Sequence, residues 1–238
     1  MRLFHIFLFS LLSVLVTNPA WANLPDRVEQ ALQKLEQANS SVPRFAFDRQ
    51  TYKENVKTEV KSFDPRRPVA DRWQVSFPSA AENRSQHDKL QKKYASWDGN
   101  SDKVLVIPDL RKRMKNGAEL VGVDEGLETY KFDILDEYIL EGGGKRSDIR
   151  QHIKGELSID IRTNEIRRIR YFSPKKFKPI SVVSLSQYEI VQHVGPAWDG
   201  GPIVRLYETS KVKGSALIKK INVDEIMIND NFKPVPAE

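Results

Sequence analysis

GELSIDIRTNEIRRIRYF, residues 155–172, opens the stretch that decides the fold, which runs on to Phe232. Leu157, Ile159 and Ile161 fall on one face of the first segment and Glu156, Ser158, Asp160 and Arg162 on the other, the period of two that marks a half-buried strand. Thr163 and Asn164 supply a tight connection to a second strand at Ile166–Phe172. Pro174 and Pro179 then interrupt, and a long strand pattern follows from Ser181 to Val194. The wide turn GPAWDGGP, residues 195–202, leads into Ile203–Ser210 and Val212–Ile221. The stretch reads as an antiparallel meander, which needs only short loops.

Upstream, apolar residues recur at Val28, Ala31, Leu32, Leu35 and Ala38, a spacing that predicts one amphipathic helix over Pro25–Asn39. Phe45 and Phe47 begin an alternating segment that reaches Tyr52. Val56–Phe63 sets Val56, Thr58 and Val60 against Lys57, Glu59 and Lys61, and Trp73, Val75 and Phe77 alternate after a proline-rich turn. Both read as half-buried strands. Glu82–Tyr94 is polar and basic with Leu90 and Tyr94 as anchors, which predicts a surface helix. Trp97–Asn100 reads as a turn, Lys103–Ile107 as a short apolar strand ended by Pro108, and Leu110–Asn116 is strongly basic. Glu119–Val123 and Leu127–Ile134 add two strands, the second with Tyr130, Phe132 and Ile134 facing one way, and Leu135–Leu140 suggests a helical turn before a triple glycine. The result is a mostly β, α+β chain: a large antiparallel sheet curled into a barrel or half-barrel, with an N-terminal amphipathic helix and one or two covering helices.

Arg2, the apolar run Leu3–Val16 and the small-x-small box Ala20-Trp21-Ala22 predict a signal peptide over residues 1–22, cleaved after Ala22. The run is shorter than the roughly 20 apolar residues that a membrane span needs. Residues 23–238 then form a single domain outside the cytoplasm, of a size that buries roughly 70% of its unfolded surface. The chain has no cysteine, so neither a disulfide nor a thiol-linked lipid anchor is available. Its net charge of +6 comes from 38 basic against 32 acidic residues, a small imbalance that argues against nucleic acid as a partner.

The familiar catalytic signatures are missing. Neither G-x-S-x-G nor H-E-x-x-H occurs, and Gly144-Lys145 lacks the rest of a phosphate loop, so a non-enzymatic protein without cofactor is expected. His87, His152 and His193 are dispersed without metal-ligand spacing. Asp98, Asn100 and Asp102 match the first oxygens of a calcium loop, but Lys103 stands where glycine is needed. Asp133, Asp136, Glu137 and Glu141 are acidic neighbours that read as a solvated edge rather than a pair of facing acids. Arg168 and Arg170 share one strand face and Arg167 takes the other; they can anchor a phosphate or carboxylate, or pair with Glu156, Asp160 or Glu165, and the pairing is the reading preferred.

Two segments carry a resemblance. WDGNSDKVLVIPDLRKRM, residues 97–114, resembles the Asp-Gly turn, short strand and Pro-Asp-Leu segment of LolA-like periplasmic lipoprotein carriers, through Asp98, Gly99, Pro108, Asp109 and Leu110. DPRRPVADRW, Asp64–Trp73, is similar to exported proteins thought to share that fold. The resemblance implies a soluble periplasmic monomer whose concave apolar face, covered by helices, accepts a lipid, an acyl chain or a lipoprotein. It also implies an arginine that holds the covering helix shut, for which Arg72, Arg168 and Arg170 are candidates. Alternation nominates Trp73, Val75, Phe77, Tyr130, Phe132, Leu157, Ile159 and Tyr188 as ligand-lining residues, although any closed sheet needs the same pattern for its core. The alternative is a module that binds another envelope or inner-membrane protein by a sheet edge or by the basic segment Glu82–Lys115.

Overall fold

In the computed structural model, which describes residues 24–97, 104, 110–114, 117–142, 145–217 and 219–236, the alternating segments pair into one antiparallel sheet. Along the chain come α1 (Asp26–Ala38), β1 (Phe45–Lys53), β2 (Val56–Phe63), β3 (Trp73–Phe77), α2 (Ala80–Tyr94) and α3 (Leu110–Arg113). Next are β4 (Glu119–Asp124), β5 (Leu127–Asp133), β6 (Ile139–Gly142), β7 (Lys145–Asp148), β8 (Lys154–Asp160) and β9 (Ile166–Phe172). β10 (Phe177–Ile180), β11 (Val183–Pro196), β12 (Ile203–Ala216) and β13 (Lys219–Pro234) complete the series. The strand order is β3-β2-β1-β13-β12-β11-β9-β8-β5-β4, with β10 beside β11 and β6-β7 as a separate hairpin. The sheet curls without closing into a barrel, so β3 and β4 are its two edges among the described residues.

The turns follow from their residues. Glu54 and Asn55 have φ of 50° and 64°, and Glu125 and Gly126 have 48° and 78°. Two successive positive φ values give the hairpin turn whose twist matches that of paired strands. Between β8 and β9 the Asp160 carboxylate accepts from the backbone N–H of Arg162 and Thr163, both at 2.9 Å, and Asn164 takes a positive φ. On β5 and β8, Phe132 faces Gly155, where a Cβ would lie 2.2 Å from the ring. Only glycine lets that ring lie flat on the sheet.

Three expectations are corrected. β12 does not break at Lys211 but runs through to Ala216, because Lys211 points to the solvated face between Glu189 and Asp224 and costs the strand nothing. Residues 135–138 form no helical turn; the Tyr138 N–H donates to the Asp148 carboxylate at 3.2 Å, and Ile139–Gly142 pairs with β7. On β2 the expected faces are reversed. Glu59 and Lys61 are 9% and 4% exposed, whereas Thr58 and Val60 are only half-buried. Register shifts at Thr51/Tyr52 and Val60/Lys61 change which side of the pleat faces in.

Directly opposed residues share a face, so a row can be followed across the sheet. Tyr130, Leu157, Ile169, Gln192, Glu208, Met227, Thr51 and Glu59 form one such row from β5 to β2. It begins apolar, turns polar in the middle and ends beside an aromatic cluster. Two cores therefore lie on the inner face. The first joins the α1 stripe Val28, Ala31, Leu32 and Leu35 to Tyr130, Phe132, Leu157, Ile159, Ile169 and Tyr188. The second joins Phe47, Trp73, Val75, Tyr94, Val104 and Val204. Gln192 and Arg205 both donate to Glu208 at 2.7 Å, Asn229 donates to the Arg205 carbonyl at 2.9 Å, and Arg49 donates to Asn229 at 2.7 Å. This polar seam separates the cores.

α2 begins at a capping box, Ser79 accepting from the Glu82 N–H while Glu82 accepts from Ser79. Its basic outer side is solvated, as expected, and only Tyr94 is fully buried. Among the described residues no helix is long and apolar enough to cross a membrane.

Candidate functional site

α1 lies over the first core with its apolar stripe down and is tied at its perimeter by polar groups. At its start Arg27 pairs with Glu128 of β5 at 2.5 Å and donates to the Asn164 side chain and the Ile161 carbonyl. Midway, Lys34 reaches Glu165 at 3.0 Å and the Thr163 carbonyl at 3.1 Å. On the other flank Arg111 of α3 bonds Glu29 at 2.5 Å and Glu36 at 2.8 Å. At its end the Asn39 amide donates to the Ile203 carbonyl and accepts from its N–H, at 3.1 and 2.8 Å.

Beside this helix is a cleft of about 240 Å³. Ala31, Leu35 and Ala38 of α1 face Ile166 and the β11–β12 turn residues Pro196, Gly200, Gly201 and Ile203, while Lys34, Glu165 and Asp199 stand at its mouth. The turn is shaped by Gly200, at φ 71°, and by Gly201, where a Cβ would lie 2.7 Å from the Trp198 indole. Such a site is apolar within and charged at the rim. Its ionisable groups are the Lys34 ammonium and the Glu165 and Asp199 carboxylates, and Lys34 is already bonded to Glu165.

The eight nominated lining residues divide. Tyr130, Phe132, Leu157, Ile159 and Tyr188 lie in the first core and Trp73 and Val75 in the second. Phe77 is half-buried at the end of β3 and, among the described residues, joins neither. None of the eight lines the cleft, but the first five belong to the same core as the buried stripe of α1. Two of them carry polar tips. Tyr130 donates to Glu128 at 2.5 Å, and burial, with the Glu128 carboxylate beside it, pushes its phenol up to about 12. Tyr188 donates to Tyr138 at 3.1 Å, and burial foremost raises both phenols. Above them Arg113 lies 5.4 Å from the Tyr138 ring and 5.6 Å from that of Tyr171.

Arg167 and Arg170 sort as the pairing reading expects, whereas Arg168 meets a hydroxyl. Arg170 bonds Glu156 and Glu189, Arg167 bonds Glu165 at 2.8 Å and approaches Asp160 at 3.6 Å, and Arg168 donates to Ser158. These contacts lie on the sheet rather than on α1. The arginine that grips the helix from outside is Arg111, and its signal was the pair Glu29 and Glu36, seven residues apart and so on one helix face. The histidines remain apart: His87 contacts the Pro78 carbonyl, His152 stacks on Phe177 and His193 meets Tyr207. Asp133 pairs with Lys154. Asp98–Asp102, and the Lys103–Ile107 strand except Val104, lie outside the described residues.

In the second core Lys61 stands 3.6 Å from the centre of the Tyr94 ring, 5.0 Å from Trp73 and 5.4 Å from Trp97, and pairs with Glu59 at 2.7 Å. Three aromatic faces and one carboxylate thus hold a buried cation. Compared with known proteins, the chain matches no family model, no curated protein and no solved structure.

Proposed function

We propose that the protein is an exported, soluble carrier for an apolar ligand such as a lipid, an acyl chain or the acyl chains of a lipoprotein, of the LolA-like kind. The observation that carries this reading is the attachment of α1: an apolar stripe on an apolar floor, ringed by polar ties, with a cleft already open along one side. At about 240 Å³ the cleft is smaller than the roughly 300–1,000 Å³ of ordinary ligand pockets. An acyl chain enters by lifting the C-terminal half of α1, exchanging helix–sheet contacts for ligand–sheet contacts of similar apolar area. Arg111 serves as the latch, and the chain performs no catalysis. The basic segment finds less support as a docking patch for an envelope protein, since Arg111 and Arg113 are engaged within the molecule.

Native mass spectrometry of the exported protein, followed by organic extraction, tests this. A stoichiometric apolar adduct, or one gained on adding palmitate, is the expected result. Ala38→Phe, which fills the cleft from a half-buried position, should reduce uptake at least tenfold. A bare mass that added palmitate does not change would end the carrier reading.

A further inference from the structure

The two edges of the sheet are treated differently. At β3 the Gln91 side chain of α2 imitates a neighbouring strand: its amide oxygen accepts from the Val75 N–H at 3.0 Å and its nitrogen donates to the Trp73 carbonyl at 2.7 Å. That edge is sealed. At β4 no described strand pairs on the outer side, and all six residues are exposed, including Leu120 and Val121 at 49% and Val123 at 60%. Open apolar edges are usually blunted by lysine, proline or a bulge. β4 has neither lysine nor proline, and its register shift between Leu120 and Gly122 is the one such device it carries.

Charge selects what can pair there. Glu119 and Asp124 end the strand and Glu125 follows in the turn, with Lys131 of β5 the basic residue opposite Glu119. This edge is acidic on a chain of net charge +6. Antiparallel pairing of two copies centred on β4 sets Glu119 of one against Asp124 of the other, so the edge repels itself. An extended strand carrying lysine or arginine at both ends has the opposite relation. It would pair with the backbone groups that no described strand meets, over about 20 Å, and place side chains against Leu120, Val121 and Val123.

We propose that β4 is a docking edge for an extended segment of a partner protein, whose apolar residues are flanked by basic ones. This is independent of the cleft under α1. The test uses the full purified chain and two acetylated seven-residue peptides of alternating valine and threonine, one flanked by lysines and the other by glutamates. In amide NMR titrations the lysine peptide should shift the resonances of β4 and β5 and bind about tenfold more tightly than the glutamate peptide, from two rim charge pairs. Glu119→Lys with Asp124→Lys, both solvent-facing, should reverse that preference while the rest of the spectrum stays unchanged. Equal affinity for the two peptides, or no shift of β4 by either at millimolar concentration, would overturn the proposal. So would concentration-dependent association of the unmodified chain that protects β4, since the occupant would then be a second copy.

Discussion

Lys61 shows how much one buried charge determines locally. Its ammonium lies among Tyr94, Trp73 and Trp97 with Glu59 as counter-ion, and both partners of the pair are removed from water. Removing one member of a buried pair leaves the other uncompensated, whereas replacing both by apolar groups is often neutral. Lys61→Met should therefore cost about 3–5 kcal/mol in urea unfolding. Lys61→Met combined with Glu59→Leu should recover most of that loss. If the single change costs no more than a surface substitution, the cation is not held as described. Local alternation could not reveal this site, because Val56, Thr58 and Val60 alternate as regularly as Lys57, Glu59 and Lys61; the register shifts against β1 and β3 decide which set faces in.

Among the elements, α2 is unusual in being polar almost throughout yet essential to the sheet it borders. Asn83 departs from helical angles, and its carboxamide oxygen accepts from the Gln86 N–H at 3.1 Å, so the helix restarts one turn after the Ser79 box. Gln91 then closes the β3 ladder. Gln91→Ala should lower stability by about 1–3 kcal/mol, since two backbone groups lose their partners. Hydrogen exchange should quicken at Val75 in particular; an unchanged rate there would mean that the seal is unimportant. The strands β8 and β9, α1 and the turns at Thr163-Asn164 and at residues 195–202 were legible because period and turn composition are local properties. The cleft was not, since Ala38, Ile166 and Ile203 meet only after the sheet is assembled, and Gln91 shows no signal that separates it from any other polar residue on a solvated helix.

At the scale of the molecule, the sheet is a scaffold with two cores and a seam between them, and α1 is the part whose buried stripe is supplemented by ion pairs along its rim. Glu29 and Glu165 stand below the ordinary value of 4.5, chiefly because Arg111 and Lys34 respectively donate to them. A carboxylate with a lowered folded value adds stability that is complete above the unfolded value and is lost as pH falls through the folded one. The grip on α1 should thus weaken below pH 4.5, and earlier in concentrated salt, because these pairs are partly exposed. Hydrogen exchange, corrected for the intrinsic rate, should show α1 losing protection while β8 keeps it. Loss in both at one pH would mean that the helix has no separate movement. The positions of the tryptophans add an optical consequence. Trp73 is wholly enclosed in the second core and Trp97 stands against Tyr94, whereas Trp198 sits on the turn that walls the cleft. Trp198 also meets Phe45 at the margin of the second core, so a ligand under α1 that displaces this turn changes the emission of Trp198 before that of the enclosed Trp73.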